Sequence, residues 1–266
     1  MSLPEADGPR ELTGDEAPRL FGTDGVRGTA GRYPLDPATV RRLGAALVRA
    51  LPHGTESPRL LIGRDTRESG NWIEAEFAHG ASGEGASVTS AGIVPTPAVA
   101  YLTRSAGYDA GVVISASHNP FEDNGIKVFS GSGEKFTERV ERHVEEIVAD
   151  QSWHVRSGEA GKVAGTDLIR AYLDHLRGVW PDRAAALRDD TIVVDCANGA
   201  TTSVAPQLFR SLGFKTILIG NDPRIAVWEA KYARILADVN GMSKAEDESG
   251  STLQMRVGTR LNVRMR

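Results

Sequence analysis

A chain of 266 residues with 40% hydrophobic and 25% charged residues has the composition of a soluble globular protein of one large or two ordinary domains. Its net charge of −4 argues against a general nucleic-acid or membrane-surface binder, and no apolar run is long enough to span a bilayer. Cys196 is the single cysteine, so no intrachain disulfide is available and we expect a cytoplasmic protein.

The first 18 residues are acidic and lack an apolar core, which predicts a flexible leader rather than a signal peptide. Residues 20–28 (LFGTDGVRG) are the first informative segment. Three glycines within seven residues let backbone amides approach an anion, and Arg27 adds a guanidinium fork suited to a phosphate. On residue types alone, a structural turn is the more common interpretation of such a segment.

The next helix and strand have clear boundaries. Asp36 and Pro37 form an N-cap and a first helical position, and apolar residues follow at helical spacing as far as Leu51. Residues 59–63 read as a short buried strand, followed by a loop that contains Arg64 and Arg67. We expect both arginines to form structural ion pairs rather than to take part directly in chemistry.

Two further helices are predicted before residue 105. Residues 71–86 form a helix of mixed quality, because Gly80, Gly83 and Gly85 lower helix stability. Residues 94–104 read as a proline-rich turn that leads into a helix.

Residues 111–129 carry the densest cluster of reactive side chains. A β-branched run at 111–114 predicts a buried strand, and Pro120 cannot continue its hydrogen-bond ladder. Residues 123–125 (DNG) predict a tight turn into a second strand at 126–129. The pattern therefore displays hydroxyl, imidazole and ammonium groups at the end of a sheet, where open α/β folds bind ligands. No triad spacing or nucleophile elbow is present, so residue types alone indicate only a candidate phosphate or nucleophile loop.

The remaining elements suggest a second unit. An amphipathic helix at 134–150 is predicted to close a first domain at 19–150, and the polar range 151–165 is predicted as a linker. A second, incomplete domain is predicted for 166–266, opening with a helix at about 166–180. A β-α-β unit follows within 191–219.

Several of these strings resemble one family, the α-D-phosphohexomutases. SASHNP at 115–120 with DNGIK at 123–127 is similar to that family's active-site loop, and FGTDGVRG at 21–28 is similar to its opening segment. The sequence is most similar to the branch of the family that acts on glucosamine phosphates, and the resemblance extends to about residue 220. The resemblance implies an α/β fold of three-layer α/β/α domains with mixed, mostly parallel sheets.

The resemblance also implies roles for individual residues. Ser117 would carry the phosphoryl group and, through its phosphate, contact a metal ion. Lys127 would act as general acid or base, His118 would orient the sugar or phosphate, and Arg27 would stabilise the charge on the transferring group. The positions that would bind substrate or phosphate are Gly25, Gly28, Asn119 and Asn124.

The implied reaction interconverts glucosamine 6-phosphate and glucosamine 1-phosphate through a bisphosphate intermediate. It implies Mg²⁺ as cofactor, a hexosamine bisphosphate as activator, a small phosphosugar as substrate and, in the intact family, a homodimer. Two alternatives stay open: the same fold acting on mannose or glucose phosphates, and a non-catalytic phosphosugar-binding fragment.

Residues 221–266 depart from the family pattern. The family's Asp-x-Asp-x-Asp-Arg metal loop, Glu-x-Ser-Gly sugar loop and Arg-Pro-Ser-Gly-Thr phosphate clamp do not occur there, and the string DESG at 247–250 lacks the family's flanks. An amphipathic helix is predicted at 226–239. The basic end at 256–266 reads as a solvated tail, a polyanion contact or a shifted reading frame. We expect a truncated or frameshifted member of the family with impaired activity.

Overall fold

A computed structural model describes residues 19–52, 57–156, 162–163, 167–179 and 191–224. The predicted leader at 1–18, the predicted helix at 226–239 and the basic end of the chain lie outside the described residues. Within the described part, no helix has the length and apolar character that crossing a membrane requires.

The centre of the molecule is a mixed sheet of seven strands in the order β1-β2-β6-β5-β3-β4-β7. The pairings of β3 with β4 and β5, and of β4 with β7, are parallel, whereas β1, β2, β6 and β5 pair antiparallel. The strands are β1 Phe21–Gly22, β2 Gly25–Thr29, β3 Arg59–Arg64, β4 Ser87–Ile93, β5 Ala110–Ile114, β6 Asp123–Ser130 and β7 Lys162–Val163. The last of these lies in the range predicted as linker.

Helices cover both faces of this sheet. Because alternating residues of each strand point to opposite sides, strands β3, β5 and β6 contribute side chains to two separate buried clusters. Leu60 and Ile62 of β3 face one side, where they join a buried cluster with residues of α1, α2 and α4. Leu61, between them, joins a second cluster with residues of α3, α5 and α6. The helices are α1 Pro37–Ala50, α2 Gly70–Gly83, α3 Thr96–Ser105, α4 Glu138–Ala149, α5 Asp167–Val179 and α6 Ala205–Ser211. The predicted three-layer α/β/α architecture is confirmed.

The start of α1 has the cap that the sequence predicts. The Asp36 carboxylate accepts hydrogen bonds from the Thr39 amide at 3.0 Å and from the Thr39 hydroxyl at 2.7 Å, and Pro37 occupies the first turn. Burial raises the pKa of Asp36, but these hydrogen bonds outweigh it and the pKa lies below its ordinary value.

Two glycines set the distance between α1 and α2. A Cβ on Gly80 of α2 would overlap the carbonyl oxygen of Arg41, and a Cβ on Gly44 of α1 would overlap the carbonyl oxygen of Phe77. The backbones of the two helices therefore touch at positions where any side chain would push them apart. Gly80 weakens the helix locally but permits its packing.

The predicted turn at 123–125 is wrong. These residues form the first part of β6, where Asp123, Asn124 and Gly125 pair with Thr29, Gly28 and Arg27 of β2. The chain reverses earlier, with the Asp123 amide donating to the Pro120 carbonyl at 3.1 Å. The sequence signal misleads because the Ser69 hydroxyl and the Gly125 amide satisfy the polar side chain of Asn124, which allows it to lie inside a sheet.

The second unit is small. β8 Thr191–Asp195 and β9 Lys215–Ile219 form a parallel pair, connected through a 3₁₀ turn at Ala200–Ser203 and α6. This is the predicted β-α-β arrangement. Helix α5, predicted to open the second domain, packs against α3, where the rings of Tyr101 and His175 stack 3.9 Å apart.

Candidate active site

The register of β2 and β6 brings two cations to one face of the sheet. Val26 pairs with Ile126, and both are fully buried on the side covered by α1 and α2. Arg27 pairs with Gly125, so Arg27 projects to the opposite face, which is also the face of Lys127 two residues further along β6. A glycine opposite Arg27 leaves space beside its side chain, since a Cβ on Gly125 would come within 3.1 Å of Arg27 Cγ.

The segment at 115–123, called the serine loop here, begins where β5 ends and runs to the first residue of β6. The Ser115 amide donates to the Gly125 carbonyl at 2.9 Å, which continues the pairing with β6 by one residue. Ser117 is exposed and adopts a left-handed backbone conformation with φ of 57°. For a residue with a Cβ this conformation costs about 1–2 kcal/mol and marks a position that its surroundings hold in place.

Two successive hydrogen bonds connect the backbone of Ser117 to the end of β3. The Ser117 amide donates to the Ser115 hydroxyl at 3.1 Å, and this hydroxyl donates to the Asp65 carboxylate at 2.6 Å. Asp65 follows directly after β3, so the loop rests on the end of the neighbouring parallel strand.

Arg67 ties the same loop together. Its Nε donates to Asp65 at 3.1 Å, and its two terminal nitrogens donate to four loop carbonyl oxygens at 2.6–3.0 Å. The four carbonyls belong to Ser117, Asn119, Pro120 and Asp123. All five N–H donors of the guanidinium are thus used, and the side chain is nearly buried. The predicted structural ion pair of Arg67 is confirmed, as is that of Arg64, which pairs with Glu74 at 2.9 Å.

Two side chains of the serine loop, His118 and Asn119, make the next contacts of the site. His118 Nδ1 lies 3.3 Å from Ser117 Oγ, within hydrogen-bond distance. Asn119 accepts a hydrogen bond from Arg27 at 3.3 Å and donates to Asp123 at 3.2 Å. Arg27 therefore joins the serine loop to β2.

The cations also share a carboxylate. Asp24, in the turn between β1 and β2, lies 3.3 Å from Arg27 and 3.5 Å from Lys127. The structure therefore places His118 against Ser117 and Arg27 against Asn119 in the same loop, and it connects Lys127 to Arg27 through Asp24.

The other predicted site residues lie in the framework of this region. Gly25 has φ of 91°, and a Cβ there would overlap the carbonyl oxygen of Ile126. Gly28 packs against Pro34. Asn124 is fully buried, and its side-chain amide donates to Ser69 at 2.9 Å, which connects β6 to the start of α2. Their predicted contact with a ligand stays a prediction.

Sequence reasoning missed the supporting roles of Asp24, Asp65 and Ser115. Asp65 stands two residues before Arg67, and Ser115 stands two residues before Ser117. In each of these short motifs the earlier residue accepts a hydrogen bond from the later one. Charge alone gave no signal for these pairings, because they connect segments about 50 residues or more apart in sequence.

A magnesium site is not complete in this part of the chain. Mg²⁺ requires near-octahedral oxygen ligands. The described residues contain no group of three or more histidine, cysteine, aspartate or glutamate side chains placed to hold a metal ion.

An α/β/α domain that presents an exposed serine in a loop after a central strand, with an arginine bound to that loop, has the architecture of a phosphohexomutase first domain. The chain belongs to this family: the description "Phosphoglucomutase/phosphomannomutase, alpha/beta/alpha domain I" matches residues 18–154. More particularly, it resembles phosphoglucosamine mutases. The protein of that name from Thiobacillus denitrificans is 45% identical over 212 residues, and the one from Enterobacter sp. (strain 638) is 42% identical over 248 residues.

A solved structure gives the same assignment of fold. A putative phosphomannomutase from Thermus thermophilus matches 77% of this chain, and 46% of its own chain, with a TM-score of 0.66 and 25% identity.

The chain spans about half the length of the curated relatives it matches. The alignments cover 77% and 89% of this chain but 46% and 55% of the Thiobacillus and Enterobacter proteins. Since 89% of 266 residues is about 237, the Enterobacter match extends beyond residue 220.

Proposed function

We propose that this chain carries the phosphoserine domain of a phosphoglucosamine mutase, the enzyme that interconverts glucosamine 6-phosphate and glucosamine 1-phosphate. The observation that carries the proposal is the exposed Ser117, held in a left-handed conformation beside His118, in a loop whose Asn119 contacts Arg27. The 45% and 42% identity to phosphoglucosamine mutases supports glucosamine phosphate as the sugar.

Ser117 Oγ is the proposed acceptor and donor of the phosphoryl group. When a hexosamine bisphosphate loads the site, the bond between Ser117 Oγ and phosphorus forms while the bond between phosphorus and a sugar oxygen breaks. In net terms the proton lost by Ser117 Oγ is gained by the departing sugar oxygen, which becomes a free hydroxyl. His118 Nδ1 lies 3.3 Å from Oγ, and in the tautomer protonated at Nε2 it would accept the hydrogen bond that orients the hydroxyl.

The cations supply charge neutralisation, which is most of what phosphoryl transfer needs from a protein. Arg27 is proposed to stabilise the equatorial oxygens of the transferring group, because its guanidinium already contacts Asn119 of the serine loop. Lys127, on the same face of the sheet, is proposed to move the proton to or from the sugar hydroxyl.

A magnesium ion belongs to the proposal as a cofactor that would neutralise charge on the transferring group. The Ser117 phosphate would supply one oxygen ligand. The described residues contain no cluster of three or more histidine, cysteine, aspartate or glutamate side chains that could complete the site. None of the steps above therefore depends on the metal. The cytoplasmic location and the homodimer remain predictions.

We expect the 266-residue chain to be nearly inactive as a mutase. A missing metal loop removes several kcal/mol of transition-state stabilisation, and missing sugar and phosphate clamps remove positioning. The combined deficit is on the order of thousands-fold or more, since each 1.36 kcal/mol is about tenfold in rate.

A coupled assay of glucosamine 1-phosphate formation, with bisphosphate activator and excess Mg²⁺, tests this expectation. Turnover at about 1–1,000 per second would contradict it. A calorimetric titration with glucosamine 6-phosphate, mannose 6-phosphate and glucose 6-phosphate compares the sugars, and the turnover assay beside it separates an enzyme from a non-catalytic phosphosugar-binding fragment. Binding of glucosamine 6-phosphate in preference to the other two supports the proposed sugar, whereas preference for mannose or glucose phosphate would favour the other branches of the family.

A further inference from the structure

Asp24 is the shared partner of both cations of the candidate site. Its carboxylate lies 3.3 Å from Arg27 Nη2 and 3.5 Å from Lys127 Nζ. Because the side chain of Asp24 is 56% exposed, water screens each of these ion pairs and each is individually weak. A single exposed carboxylate nevertheless lies within 3.5 Å of both cations, one of which, Arg27, the proposed function assigns to the phosphoryl group.

The turn that carries Asp24 is anchored on both sides. Lys135 Nζ donates to the Thr23 carbonyl at 2.7 Å and pairs with the buried Glu141 at 3.3 Å. At the other end of β1, the buried Glu145 accepts hydrogen bonds from the Leu20 and Phe21 amides at 2.7 and 2.8 Å. Helix α4 and the residues before it therefore hold this turn in place, so the position of Asp24 between the cations is fixed by the fold.

The arrangement leaves Arg27 incompletely satisfied. One terminal nitrogen of Arg27 contacts Asn119 and the other contacts Asp24, while its Nε is buried and has no hydrogen-bond partner among the described residues. A buried donor without an acceptor costs free energy. A stronger anion with several oxygens could therefore give the Arg27 guanidinium more hydrogen bonds than it has with Asn119 and Asp24.

We propose that Asp24 is a placeholder anion, which holds Arg27 and Lys127 side by side in the unphosphorylated chain and gives both up to a phosphate. A phosphate dianion forms stronger charge-assisted hydrogen bonds than one carboxylate, and the two anions repel each other at this separation. Asp24 is thus a positioning residue: it keeps the cations assembled before the phosphate arrives and opposes its binding slightly. The identity of the natural anion rests on the proposed function, but the competition at the two cations does not.

The test is the affinity of the full chain for inorganic phosphate, measured by calorimetry at fixed pH and ionic strength. Asp24→Asn removes the competing charge with little change of shape, and we expect phosphate to bind about three-fold more tightly. Asp174→Asn is the matched control. It removes the same charge from an exposed ion pair with Arg177 on α5, and we expect no change in affinity.

Two results would overturn the proposal. One is an unchanged or weaker affinity in Asp24→Asn when circular dichroism shows the variant folded. The other is undiminished phosphate binding in Lys127→Met, which would place the anion elsewhere. Should Asp24→Asn fail to fold, Asp24→Ser removes the same charge and is judged by the same affinities. Inorganic phosphate needs neither sugar nor turnover, so this titration can fail while the mutase proposal stands, and the turnover assay can fail while this inference stands.

Discussion

At the scale of single residues, Arg67 shows how one side chain can shape a reactive loop. It donates five hydrogen bonds, four of them to carbonyl oxygens of the serine loop, about 50 residues further along the chain. Only the planar fork of a guanidinium has this number and direction of donors. The left-handed conformation of Ser117 is therefore held by a residue that touches none of the reacting atoms in the proposed chemistry.

This account predicts that Arg67→Lys destabilises the chain despite keeping the charge. An ammonium group has three donors and cannot reach five acceptors, so exposed and part-buried loop carbonyl oxygens lose their partner, and we expect the free energy of unfolding to fall by about 2 kcal/mol. Urea denaturation measures the change. Arg64→Lys is the control, because Arg64 contacts Glu74 through Nε at a partly buried surface, where we expect a loss of about 1 kcal/mol or less. Equal losses in the two variants would contradict the assigned role of Arg67.

The sequence predicted the residue types of the site better than their partners. The ion pairs of Arg64 and Arg67 were expected, whereas the four carbonyl contacts of Arg67 were not, because backbone acceptors carry no sequence signal. Asp24 escaped prediction for a related reason. An aspartate in a glycine-rich turn is ordinary, and its meaning depends on Lys127, which is more than 100 residues away in sequence.

At the scale of elements, α1 and α2 show that a residue with low helix propensity can stabilise a helix through its packing. Gly80 was expected only to weaken its helix. In the structure it permits the backbone of α2 to touch that of α1 near Arg41, and Gly44 does the same from α1 near Phe77. The helix is stabilised by close packing rather than by the helix propensity of its sequence.

We therefore predict that Gly80→Ala lowers stability, although alanine is the better helix former. The added methyl group would overlap the Arg41 carbonyl oxygen, and overpacking of this kind costs about 1–3 kcal/mol. Gly178→Ala in α5 is the matched control, since nothing lies within 4 Å of the added atom. There we expect stabilisation of up to about 1 kcal/mol. Thermal unfolding of both variants measures the difference, and stabilisation by Gly80→Ala would show that the helices do not approach as described.

Strands were predicted less completely than helices. β3 and β5 are apolar runs and were expected, but β4 at Ser87–Ile93 mixes serine, threonine and glycine and gave no clear signal. The first half of β6 was read as a turn for the reason given above. In both cases the pairing with neighbouring strands, which a single segment does not encode, decides the structure.

At the scale of the whole molecule, the described residues form a well-covered sheet and a much smaller second pair of strands. The seven-stranded sheet carries helices on both faces, and its centre is fully buried. In the pair β8–β9, Val193, Ile217 and Ile219 are each at least 50% exposed. The order of the seven strands could not be predicted, because it depends on β2 and β6 pairing across almost 100 residues. The division into domains at about residue 150 stays a prediction.

The central claim is that Ser117 accepts a phosphoryl group, and its most direct test is peptide mass spectrometry after incubation with glucosamine 1,6-bisphosphate and Mg²⁺. We predict one added phosphoryl group on the peptide that contains Ser117, and none in Ser117→Ala. Ser115→Ala serves as a second control: its loop support is weakened, so we expect slower labelling but still at Ser117. Label on Ser115 in the unmodified chain, or labelling that persists in Ser117→Ala, would contradict the account.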